Sequence, residues 1–169
     1  MADIKASYGA SSAVTISLAG LASDTNLLAG VESDAVDNST DLCLDYQLAG
    51  KITTGTSPTA SKRIRVHVVG MLNDSTWPDV FDGTGSAETI TSADIRDAAG
   101  GSIRLAAEMP TSNTSDRAYP FGPISVAALF NGVCPRKFAV FVTHDTGVNL
   151  NSTAGNHAVY VTPYKETVA

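Results

Sequence analysis

Residues 137–168 read KFAVFVTHDTGVNLNSTAGNHAVYVTPYKETV, two apolar runs separated by a Thr/Asn/Gly-rich stretch. In the first run Phe138, Val140, Val142 and His144 fall on one face, and the second has the same alternating, β-branched and aromatic character. A period of two in such residues is the signature of strands. Both runs are expected in central positions, although Pro163 should end the usefulness of the second, because a proline offers no N–H to a ladder. The stretch also contains His144-Asp145, and a catalytic reading of that pair needs a nucleophile poised beside it. No G-x-S-x-G elbow occurs in the chain to supply one. The preferred reading is two strands and a surface loop, with His144 at a strand end and Asp145-Thr146-Gly147 forming a turn.

The same period recurs upstream. In AVTISLAG, Val14, Ile16 and Leu18 alternate with Thr15 and Ser17, and in DLCLDYQLAGKITT, Leu42, Leu44, Tyr46 and Leu48 alternate with Cys43, Asp45 and Gln47. GTSPTASK then connects to RIRVHVVGML, which suggests a long-looped hairpin with Arg63 and Arg65 on its solvated face. LASDTNLLAGVESDAVDNST has neither clean period and reads as a long loop. In the irregular segment that follows, Thr91 or Ser92 is placed to cap a short helix over ADIRDAA, and SIRLAAEM resumes as a strand. A second short helix is expected in YPFGPISVAALFNG, from Pro123 in its first turn to a stop at Gly132.

Many strands, little helix and polar loops define an all-β antiparallel β-sandwich, of jelly-roll type, with one or two short helices. The expected organisation is a flexible N-terminal arm over residues 1–12 and a single β-sandwich domain over 13–169. A chain of 169 residues can build a core without metal or disulfide. Cys43 and Cys134 are expected to be reduced, and the N-x-S/T matches at Asn38, Asn73, Asn113 and Asn151 are those of a Ser/Thr/Asn-rich composition. A net charge of −6 argues against nucleic acid as a partner, and no apolar run approaches a membrane span. No basic segment followed by an apolar stretch marks the N-terminus as a secretory leader.

Other candidate chemistry competes with ordinary folding roles. His67, His144 and His157 have no zinc-ligand spacing and read as isolated strand histidines. Asp79, Asp82 and Glu88 share a Gly-containing loop that could gather oxygen ligands around calcium, but their spacing is not that of a twelve-residue calcium loop. Turn formation is the preferred reading, so no metal and no cofactor are expected. A hydrolase would need convergent carboxylates near Asp79 and Glu88. Trp77, Phe81, Tyr119 and Phe121 are the aromatic residues placed to serve as interface anchors, and Trp77 and Tyr119 could instead stack on a sugar.

The stretches GKITTGTSPT, FGPISVAALF and FVTHDTGVNLN, within a likeness covering most of the chain after about residue 30, resemble small virion structural proteins of tailed bacteriophages. The resemblance implies a non-enzymatic head decoration, or cement, protein. It would be assembled in the host cytoplasm and lie on the outer capsid surface against the major capsid protein, as a homo-oligomer or in repeated copies. A tail or adaptor protein, or a carbohydrate-binding module for host attachment, is the alternative. The family carries no catalytic motif, so no active-site residue is transferred.

Overall fold

Alternating strands need two faces with different neighbours, and the chain meets that need by stacking two antiparallel sheets. The computed structural model describes residues 4–168. The first sheet is built from β1 (Ile4–Tyr8), β2 (Ser12–Ala13), β5 (Asp45–Thr53), β9 (Ala118–Ser125) and β11 (Ala158–Val168). The second contains β3 (Ala29–Glu32), β4 (Val36–Asp37), β6 (Lys62–Gly70), β7 (Ala87–Thr89), β8 (Ile103–Thr111) and β10 (Lys137–His144). The spatial orders are β1-β11-β5-β9 and β7-β3-β10-β6-β8, with β2 also on β11 and β4 also on β10. Two short helices, α1 (Ala93–Arg96) and α2 (Val126–Leu129), are capped by the hydroxyls of Ser92 and Ser125. The protein is an all-β antiparallel sandwich.

The main core lies between the sheets, where Tyr46, Leu48, Ile52, Val159 and Val161 of one meet Ile64, Val66, Phe138, Val140 and Val142 of the other. Tyr46 and Phe138 pack edge to face with ring centroids 5.4 Å apart. A second cluster, Val69, Phe81, Ile90, Ile103 and Phe141, lies on the outer side of the second sheet under the irregular segment that precedes β8. That cover explains why β10 is buried on both faces, from Phe138 through His144.

Several elements depart from the sequence reading. Residues 13–20 do keep Val14, Ile16 and Leu18 turned inward, but only Ser12–Ala13 joins a sheet as a strand. Val14 N–H donates to Val159 O, and Thr15 O accepts from Asp34 N–H, so this segment crosses from one sheet to the other along their edge. The stretch expected as a loop contains β3 and β4, both against β10. The segments expected as a hairpin separate: β5 pairs with β11 and β9, whereas β6 pairs with β10 and β8. Alternation identifies a strand without identifying its partner.

Leu42 and Leu44 do not share the inward face of Tyr46, being 74% and 49% exposed, while Cys43 is buried. The buried Asn38 is responsible: its carbonyl accepts from Cys43 N–H at 2.7 Å and its amide donates to Cys43 O at 2.9 Å, which turns the backbone before β5 begins. The helix expected from Pro123 starts at Val126, because Tyr119–Ser125 continues β9 against β5. β9 is an edge strand, where prolines without N–H groups are tolerated. Pro163 likewise does not end β11, which runs on to pair with β1. Of the expected flexible arm, residues 1–3 lie outside the described residues, and Ile4–Tyr8 is the paired strand β1.

Candidate functional site

The His-Asp pair is absorbed into the fold. His144 is fully buried, its Nε2 donating to Leu21 O at 3.0 Å and its Nδ1 lying 3.0 Å from Thr146 Oγ1. Asp145 Oδ1 accepts from Arg63 N–H at 2.6 Å, fastening the end of β10 to the start of β6. His157 accepts from Thr53 N–H through Nδ1 and donates to Asn151 O through Nε2. It lines a cleft of about 290 Å³ between the crossing segment and β11, with Val14, Ile16, Leu18 and Tyr160. His67 is buried on the outer face of β6, and burial lowers its pKa to about 4, assisted by the charges of Arg65 and Arg96. Each histidine therefore has its own surroundings. The cysteines are free thiols, with Cys43 in the main core and Cys134 packed against it.

Of the aromatic residues expected at an interface, two are buried and two are half-buried. Phe121 is buried in the main core and Phe81 in the outer cluster, edge to face with Phe141. Tyr119 is half-buried, its hydroxyl accepting from Ser112 N–H at 2.8 Å, and Trp77 is half-buried against the outer cluster. The exposed aromatics lie elsewhere, on the outer face of the first sheet, where Tyr8 pairs with Tyr164 across the ladder and is 62% exposed. Tyr160, 45% exposed, lies on the same strand face as Tyr164. Alternation in β11 carried this signal, since Val159 and Val161 point inward and leave the tyrosines outside.

The charged residues of β6 and β8 form a second feature. Arg63 and Arg65 both contact Glu108, and Arg65 and Arg96 both reach Asp97. Burial tends to raise the Glu108 pKa, but the hydrogen bond and charge of Arg65 outweigh it and hold the carboxyl below its usual range. Arg96 also donates to the carbonyls of Asn26 and Leu27, so the network ties α1 to the segment before β3.

The acidic loop is only partly the expected one. Asp79 turns away and accepts from Thr91 N–H and Oγ1. Asp82 and Glu88 instead converge with Glu32 of β3, each placing a carboxylate oxygen within 4.8 Å of the others. Glu32 is fully buried, and its Oε1 accepts from the N–H groups of Asp82, Gly83 and Thr84 at 3.3, 3.0 and 3.3 Å. Gly83 makes that approach with φ +73°, and its α-carbon lies so near Trp77 that a β-carbon would sit 2.7 Å from Cζ2. Burial first, then the contact with Asp82, raises the Glu32 pKa to about 7; the same contact, with Thr84, lowers that of Asp82. Sequence reading missed Glu32 because it assigned β3 to a loop.

The fold class is thus a two-sheet antiparallel sandwich whose histidines and interior aromatics serve its own packing. No protein family, curated protein or solved structure matches the chain.

Proposed function

We propose that the chain is a structural protein of a tailed-phage particle, seated on the outer capsid surface as a decoration or cement protein. The observation that carries this reading is the strand order. With β1, β3, β5, β6, β8, β9, β10 and β11 taken in chain order, the sheet orders β1-β11-β5-β9 and β3-β10-β6-β8 support reading the sandwich as two interleaved Greek keys, a jelly roll. Jelly rolls recur in viral capsid proteins, an analogy at the level of fold that agrees with the resemblance of the sequence. The outer face of the first sheet is the surface this reading assigns to the shell. It offers Tyr8, Tyr160 and Tyr164, amphipathic rings suited to a contact that is part apolar and part wet.

The test is saturable binding of the purified chain to shells that lack it, followed by co-sedimentation. The expected result is a fixed number of copies per shell subunit and greater resistance of the shell to heat. Replacing Tyr8 and Tyr160 together by alanine should weaken binding without unfolding the chain. Failure to co-sediment at any concentration would overturn the reading. The same tyrosines favour one alternative, a sugar-binding sandwich, since jelly rolls also occur in lectins and an aromatic face can stack on a pyranose. Binding to a glycan panel, lost on Tyr160→Ala, would select that alternative.

A further inference from the structure

We infer that Glu32, Asp82 and Glu88 form a binding site for a hard divalent cation, with calcium as its ligand. The inference is independent of the proposed virion role. Three carboxylates converge, and among the described residues none of the three forms an ion pair with a lysine, arginine or histidine. One of them is fully buried: Glu32 Oε1 is saturated by three backbone N–H groups, whereas Oε2 is buried and accepts no hydrogen bond. A buried carboxylate oxygen without a partner is costly, and a cation is the group that would satisfy it together with its acidic neighbours.

The way the residues are held supports this assignment. Glu88 stands opposite Gly30 in the β7–β3 ladder, two positions from Glu32, so both glutamates lie on the outer face of the second sheet. Glu32 N–H donates to Ser86 O, fixing the loop over the strand. Ser86 Oγ donates to Glu88 Oε1 at 2.7 Å, and Thr84 Oγ1 to Asp82 Oδ1 at 2.6 Å, so hydroxyls orient two of the three carboxylates. The donor set is entirely oxygen, without imidazole or thiolate, which selects calcium or magnesium over zinc. A set that mixes two strand glutamates with a loop ligand, Asp82, beside positive-φ Gly83 suits calcium, which takes variable coordination, better than magnesium, which demands a near-ideal octahedron.

Trp77 supplies a direct readout, because its ring packs on Gly83 in the loop that carries Asp82. The experiment uses the full chain, stripped of metal with a chelator and titrated with terbium under tryptophan excitation, then with calcium as competitor. The expected result is sensitised emission that saturates at one ion per chain and is displaced by calcium, with a rise in thermal midpoint on adding calcium alone. Glu88→Gln, on the edge strand β7, and Glu32→Gln, which keeps the side chain's shape, should each weaken calcium binding at least roughly tenfold. Emission that survives both substitutions unchanged would place the ion elsewhere and overturn the inference. So would the absence of both emission and thermal shift at millimolar calcium, leaving a carboxyl pair that shares a proton. Glu88→Gln keeps the test decisive if Glu32→Gln fails to fold.

Discussion

At the residue scale, His67 shows how this fold uses a titratable group. Its ring is buried beside Phe141, and its Nδ1 finds no hydrogen-bond partner. Burial and the charges of Arg65 and Arg96 depress its pKa, opposed in part by Asp97 and Glu108. A histidine whose folded pKa lies below its unfolded value leaves the unfolded state holding more protons between the two. Stability should therefore fall as pH drops from about 6.5 to about 4, by up to about 3 kcal/mol from this residue. Urea midpoints near pH 7 and near pH 4 should differ less in His67→Leu than in the native chain; equal slopes would contradict the account. Gly83→Ala is a second test, because it adds a β-carbon at positive φ and against Trp77. We expect a loss of about 1–2 kcal/mol, read from denaturant unfolding followed by Trp77 fluorescence.

At the scale of elements, legibility follows strand length and the alternation of residue type. β5, β6, β10 and β11 could be read because each places alternate residues into the main core, as Val159 and Val161 do on either side of exposed Tyr160. β3 could not, since Ala29–Glu32 is only four residues and carries a single β-branched residue, Val31, too short a run to show a period of two. β9 was obscured by Pro120 and Pro123, which an edge strand tolerates. The acidic loop was legible as a place where carboxylates gather, but its buried member was hidden with β3. Residues 1–12 read as a flexible arm because the segment is short and polar, yet Ile4–Tyr8 pairs residue for residue with Tyr164–Val168. Deleting residues 1–8 should lower the thermal midpoint and accelerate amide exchange in Tyr164–Thr167 while Val159–Val161 stays protected. Unchanged exchange in Tyr164–Thr167 would show that the pairing contributes nothing.

At the scale of the whole molecule, one core joins both sheets, and Phe138 is fully buried within it against Tyr46 of the opposite sheet. Phe138→Ala should cost about 3–5 kcal/mol, with Trp77 fluorescence and far-ultraviolet dichroism losing their signals together. Separate transitions would mean that the outer cluster around Phe141 folds without the main core. The surface to which we assign function is the outer face of the first sheet, with Tyr8, Tyr160 and Tyr164. The central claim is that this face serves a particle. The most direct test is the copy number of this chain, measured by quantitative mass spectrometry on density-banded particles from the source of the gene. The account predicts one copy per capsid subunit, or one per few. Absence from the particles would contradict it, and a handful of copies would contradict the shell position and favour the tail.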